Sequence, residues 1–395
     1  MTTMELTRAV LAHPSHLDVT STEYERESLG DAVNLSDGHA RQPLTSTQQA
    51  IIDRSAGIFR RAQRESQYRL EGEFVRTFLH LAGEPQLLPT ERYFLSYSSS
   101  SAIGMIALYC IRHGKSVALI EPIFDNIPNT LRAAGVPLEV LPEEALGASD
   151  VAAVLEGIAA EVVWVVCPNN PTGHVLSEAA FDALVEACAR LGKALVVDFC
   201  FRFYAKELAR WSQYDRLRQS GVSFVTIEDT GKTWATLDMK IGMLVCSDDL
   251  HEEFYHRHDD LLLNVSPFHL ALLTEFIDDT IVHGADATIG YYVRQNFEIL
   301  REAFADGVLS LTTDAAPTAT VAWIRIDADF SGERLWAALR EQNIHLLPGS
   351  NFYWHTPAKG RSFVRIPLAR DPALVCRAAP IVRGVASQLA AGFDV

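Results

Sequence analysis

Three short polar stretches, each directly behind an apolar run, carry the side chains best suited to chemistry. The first is CPNNPTG, Cys167 to Gly173, after the run Val162 to Val166. Two asparagines followed by Pro, Thr and Gly make a rigid turn that can aim an amide into a cleft, or a plain β-turn. The second is Asp198, which closes the run Ala194 to Val197 and precedes Phe199. It sets a carboxylate at a strand end, where it could serve a ligand or cap a helix. The third is EDTGKTWATLDMKIG, Glu228 to Gly242, in which Lys232 lies between Gly231 and Thr233. A lone lysine is ordinarily a solvated surface charge. Open α/β sheets, however, place ligands at the carboxyl ends of their strands, where all three stretches fall.

The elements needed to hold such residues are legible in the apolar pattern. Short, often β-branched runs at Val117 to Ile120, Val162 to Val166, Ala194 to Val197, Phe224 to Ile227 and Met243 to Val245 alternate with amphipathic stretches, as buried parallel strands do. One helix is predicted from about Ser177 to Leu191, with Ser177 as N-cap and Gly192 as stop. After Pro267 a long helical region is predicted to Phe304. Apolar segments Thr320 to Ile326 and Phe363 to Pro367 then flank a helix near Glu333 to Gln342. The expected fold is α/β, with a large, mostly parallel-sheet domain over 45–275 and a smaller α+β domain over 276–395. Residues 1–44 read as a polar, irregular arm or lid ending in SDGHARQPL, Ser36 to Leu44.

Composition narrows the class. The 395 residues are 48% hydrophobic and 21% charged, enough for a large core in two or more domains. A formal net charge of -16 argues against nucleic-acid binding and leaves room for a small, even cationic, ligand. The six cysteines form no CxxC pair or disulfide-like spacing, so reduced thiols in a cytoplasmic protein and no metal site are expected. No apolar run suits a signal peptide or a membrane span, so neither export nor membrane is expected.

Taken together, the three stretches resemble the aminotransferase-like, fold-type I family of pyridoxal 5′-phosphate (PLP) enzymes, over about Leu95 to Arg370. The resemblance implies that Lys232 carries PLP as a Schiff base and shuttles the substrate's α-proton, and that Asn170 bonds the phenolic oxygen. It implies that Asp198 pairs with the pyridine nitrogen, keeping the ring an electron sink. YSSSS, Tyr97 to Ser101, stands where the family has its phosphate loop, which assigns Ser98, Ser99 and Ser100 to the phosphate. Thr230 is assigned to the cofactor as well. Phe124, in EPIFDN, stands where an aromatic stacks on the ring, a core phenylalanine being the competing reading. Arg365, in FVRIPLAR, matches the arginine that grips the substrate carboxylate. The family also implies a homodimer with shared sites.

Three departures from a transaminase bear on the reaction. Phe201 replaces a tyrosine that donates to the phenolic oxygen. Asp229 replaces a serine near the phosphate and is expected to meet a cation, from the protein or the substrate. Lys240 replaces a phosphate-binding arginine, keeping the charge and losing the fork. With DGHARQPL, FDN and TSTEYE (Thr20 to Glu25), these look like the small subgroup of PLP- and O2-dependent arginine oxidases and hydroxylases of natural-product pathways. That resemblance implies Glu23, Asp37 and Asp229 near the guanidinium of L-arginine, and His39 in the oxygen chemistry. It implies 4-hydroxy-2-oxoarginine and 2-oxoarginine as products, with O2 as co-substrate. The rivals are an ordinary transaminase and a catalytically idle binding protein, the latter disfavoured by the intact set Lys232, Asp198, Asn170 and Arg365.

Overall fold

The larger of two sheets is built from β2 (Tyr93–Ser96), β3 (Val117–Glu121), β4 (Leu138–Pro142), β5 (Val162–Val166), β6 (Ala194–Asp198), β7 (Phe224–Asp229) and β8 (Gly242–Cys246). Side by side, these strands run in the order β2, β8, β7, β6, β5, β3, β4. β3 to β7 are parallel, while β8 is antiparallel to both β7 and β2. The structure is a computed structural model and describes residues 19–30, 33–84, 93–147 and 151–393.

Every residue of β5 and β7 is buried, because helices cover both faces of the sheet. The helix Glu178–Leu191 begins where the Ser177 side chain accepts from Ala180 N, and it stops at Gly192, whose φ of 65° puts it in the left-handed region. The expected long helix after Pro267 is instead two, Pro267–His283 and Ile289–Phe304. They part at Gly284, which has φ +84°. The first packs on the large core through Leu270 to Ile277, although the expected boundary at 275/276 cuts it. The small core gathers Leu35 of the arm with residues from Val293 onward.

The second sheet is built from β1 (Val33–Leu35), β9 (Leu309–Leu311), β10 (Val321–Ile326), β11 (Ile344–Pro348) and β12 (Phe363–Pro367), in the order β1, β11, β12, β10, β9. β1 comes from the N-terminal arm and pairs parallel with β11, so the arm is stitched into this sheet. A helix, Ser21–Glu27, precedes it, and its Tyr24 ring meets Trp336 edge-on at 4.8 Å. This region is therefore not irregular. Its start is a capping box in which Thr20 and Glu23 satisfy each other's backbone amides, a signal that TSTE already spells. Residues 1–18 and 31–32 of the expected arm lie outside the described residues.

Candidate active site

The order β7, β6, β5 sets the ends of three neighbouring strands side by side, so Asp229, Asp198 and the Asn169–Asn170 turn converge. They border a cavity of ≈ 500 Å³, lined also by Ser98, Ser99, Ser100, Phe124, Phe201, Lys232 and Lys240. Thr22, Glu25 and His39 of the arm line it too.

Asp198 is buried at the cavity wall, where its Oδ1 accepts from Cys200 N at 2.9 Å. Burial pushes its pKa up to about 6, and among the described residues no cation forms an ion pair with it. Phe201 is buried beside it. Lys232 sits on a loop pinned from several sides. Tyr204 donates to the carbonyls of Lys232 (3.2 Å) and Thr233 (3.3 Å), and Trp234 Nε1 donates to Thr280 Oγ1 at 3.0 Å. Thr230 Oγ1 accepts from Ile241 N at 2.8 Å, so this side chain ties the loop rather than lining the cavity.

Ser98 caps the helix Ser99–Arg112 without a side-chain bond, leaving the helix's positive N-terminal pole toward the cavity. Asp229 takes part of that pole: its Oδ2 accepts from Ser99 N at 2.7 Å and its Oδ1 from Gly231 N at 2.6 Å. Where sequence reasoning expected a cationic side chain or substrate, Asp229 meets backbone amides. Two glycines make this end possible. A Cβ on Gly242 would lie 2.6 Å from Ser98 C, and one on Gly231 would lie 2.6 Å from Lys240 Cδ.

The arm arrives differently from the expectation. Glu23 does not reach the cavity, because its carboxylate holds Thr20 N at 2.7 Å. Thr22 and Glu25, three apart on one helix face, reach it instead. Asp37 is buried outside the cavity lining. Its Oδ1 meets His39 Nδ1 at 2.5 Å and its Oδ2 accepts from Arg41 Nε at 2.5 Å. It orients a histidine and is not open to a ligand. Burial opposes ionisation of Asp37, yet the hydrogen bond and charge of His39, then Lys232 and Arg370, hold its carboxyl well below the usual range. The charge of Lys232 and then burial push His39 below its ordinary value, against the pull of Asp37. Its Nε2 lies 2.9 Å from Lys240 Nζ.

Arg365 is 1% exposed. It donates to Glu25 Oε1 (3.0 Å), to Asn170 Oδ1 (3.3 Å) and to the Ser36 carbonyl, and its guanidinium carbon lies 5.4 Å from the ring centroid of Phe124. Sequence reasoning missed three further contributors. Arg370 clamps the arm by donating to the carbonyls of Asn34 and His39, each at 2.9 Å, and of Asp37. Asp125 accepts from Ser21 N at 2.8 Å and so seats the arm helix, and Tyr204 holds the lysine loop. Two of them stand in quoted motifs, Asp125 in FDN and Arg370 at the end of FVRIPLAR, without a role having been read for either.

These residues fit PLP. A buried carboxylate without an ion-pair partner suits a protonated ring nitrogen, an amine stands in the same cavity, and a helix N-terminus with Lys240 suits a phosphate. The profile of the aminotransferase class I and II family matches residues 29–380. The chain belongs to that family, a fold-type I family of PLP-dependent enzymes. Among solved structures, it is similar to MppP soaked with the product 2-ketoarginine, with 32% identity and a TM-score of 0.82 over 90% of this chain and 99% of that one. LysN, the α-aminoadipate aminotransferase of Thermus thermophilus, shares the fold at 15% identity and a TM-score of 0.78, each chain covered over 100% of its length. Histidinol-phosphate aminotransferase of Deinococcus radiodurans is 26% identical over 214 residues, 53% of each chain. The chain thus matches about half the length of the curated relatives.

Proposed function

We propose that the protein is a PLP- and O2-dependent oxidase and hydroxylase of L-arginine, releasing 4-hydroxy-2-oxoarginine and 2-oxoarginine with H2O2 and ammonia. The observation that carries this reading is the ion pair between Arg365 and Glu25 in the lysine-bearing site, at 3.0 Å. An arginine substrate brings a carboxylate for Arg365 and a guanidinium for Glu25, so each buried charge exchanges one partner for a chemically similar one. The likeness to MppP, whose product is 2-ketoarginine, supports the same substrate.

Held by Lys232, Asn170, Asp198, Phe124, Lys240 and the Ser98–Ser100 loop, PLP would supply the electron sink for the carbon left when the α-proton departs, and the route for those electrons to O2. Lys232 Nζ takes that proton. Asp198 keeps a positive charge opposite it, Phe201 withholds a hydroxyl, and Arg365 orients the substrate carboxylate. The arm covers the lysine closely, since a Cβ on Gly38 would stand 3.7 Å from Lys232 Nζ. His39, held by Asp37, manages protons in the later oxidation. The balance is one O2 and one water per 2-oxoarginine, or two of each per 4-hydroxy-2-oxoarginine, with one H2O2 released per O2. A 4,5-desaturated product shares the early steps. The active form is a homodimer with shared sites.

The test is purified, PLP-loaded protein with L-arginine, following O2 uptake and product mass with and without a 2-oxo acid. O2 consumption without 2-oxo acid, and loss of the hydroxylated product in favour of 2-oxoarginine in His39→Ala, are expected. The second reading, an aminotransferase of arginine or another amino acid, is favoured by the curated relatives. It requires turnover that depends on the 2-oxo acid and ignores O2.

A further inference from the structure

We propose that Asp229 is a resident anion in the cofactor's phosphate seat, and that it sets how loosely the chain holds a phosphorylated cofactor. The inference concerns the cofactor alone and does not depend on which reaction the site performs. The helix Ser99–Arg112 begins at the cavity, and the amides of a first turn are the donors that an anion finds at such an end. One of those amides is already taken. Asp229 Oδ2 accepts from Ser99 N at 2.7 Å, while its Oδ1 accepts from Gly231 N at 2.6 Å, so both carboxylate oxygens are engaged at once.

Nothing nearby neutralises this carboxylate directly. Asp229 is 4% exposed, and among the described residues no cation forms an ion pair with it. Lys240 runs close by: a Cβ on Gly231 would meet Lys240 Cδ at 2.6 Å and Asp229 Oδ1 at 3.0 Å. The Lys240 amine, however, is engaged by His39 Nε2 at 2.9 Å, with Asp238 Oδ1 at 3.9 Å. A phosphate at this helix end therefore finds one amide fewer than an unoccupied terminus offers, and a negative neighbour shielded from water. The serine of the family pattern would add a donor there instead of a charge. The same charge reaches Asp198 at the end of the neighbouring strand: burial pushes the Asp198 carboxyl up most, and Asp229 pushes it further. Asp229 thus weakens the hold on an anion at one place and favours a positive partner for Asp198 at another.

Cofactor affinity, read with and without the phosphate group, tests this. Asp229→Asn keeps the size of the side chain and one oxygen for an amide, and removes the charge. The cofactor-free protein is titrated with PLP and, separately, with pyridoxal, which lacks the phosphate, following the absorption of the bound cofactor. Asp229→Asn should bind PLP about 10- to 100-fold more tightly than wild type, the effect of taking one near charge away from an anion, while its affinity for pyridoxal does not rise. Inorganic phosphate should displace PLP at lower concentration relative to pyridoxal in the variant than in wild type. PLP affinity that is unchanged or weakened in Asp229→Asn overturns the proposal. So does an equal gain for PLP and pyridoxal, which puts the effect somewhere other than the phosphate. Should the asparagine chain not fold, Asp229→Ser, which restores the residue of the family pattern, is read by the same two titrations and the same criteria.

Discussion

Two charged clusters flank the turn that follows Asp198, and they are built on opposite principles. The first is sealed. Arg202 is 2% exposed and donates to Glu228 Oε1 at 2.5 Å, to Gln213 Oε1 and to the Ala82 carbonyl, with Glu84 Oε1 3.6 Å away. Glu84 is fixed by Gln213 N at 2.7 Å and by Ser212, and Tyr214 donates to Glu228 at 3.1 Å. Burial pushes the Glu228 carboxyl up while Arg202 stays charged. The second cluster, Asp37, His39, Lys240, Lys232 and Asp238, opens onto the cavity through every member but Asp37. Burial of a matched set gives rigidity, because any partner lost leaves a charge in low dielectric. Access to a cavity gives protons and partners somewhere to go. The sealed cluster clamps Arg202 in the turn after Asp198 and Phe201, and the open one faces the cavity.

Substitutions separate the two clusters at several strengths. The largest effect belongs to the open cluster: Lys232→Ala should cut turnover by on the order of 10⁴-fold or more, with little change in folding stability. Wild type should be yellow, and borohydride reduction followed by peptide mapping should place the pyridoxyl group on Lys232, not Lys240. Next comes the sealed cluster, where Arg202→Met strands two buried carboxylates and should cost about 3–5 kcal/mol in denaturant unfolding. A loss under about 1 kcal/mol there would erase the distinction between the clusters.

Asp125 tests the hinge between arm and cavity through pH. Burial raises its pKa from 3.8 to about 6, so its folded state favours the neutral acid. Its contribution to stability is full below pH 3.8 and is lost as pH rises through about 6. Asp125→Asn should flatten that part of the stability profile of the cofactor-free protein, leaving the share of Asp198, which is raised in the same window. An unaltered slope would count against the buried, partly unpaired carboxylate. The smallest effect is expected at Asp238, which is 44% exposed and 3.3 Å from Arg41. Asp238→Ala should change stability by less than about 1 kcal/mol, seen as a small shift in the unfolding midpoint.

Much of the large domain was legible because buried parallel strands write themselves as short apolar runs. Val162–Val166 begins and ends where the pattern places it, and Ser177 and Gly192 bracket a helix by mechanisms local to their own residues. The arm was harder to read. Its helix is announced by Thr20 and Glu23, yet its place depends on Asp125 and Trp336, which are more than a hundred residues away. The assignment of Glu23 over Glu25 shows the limit: spacing says both are acidic, and only the docked helix says which one turns inward.

The sequence by itself determined the class of fold, the three strand-end motifs and the departures at Phe201, Asp229 and Lys240, because each depends on residue type and on neighbours within a few positions. Tertiary structure alone decided the partners. Asp229 caps a helix, Glu25 meets Arg365 and Lys240 meets His39, since each pairing joins residues far apart in the chain that only the folded packing brings within hydrogen-bonding distance.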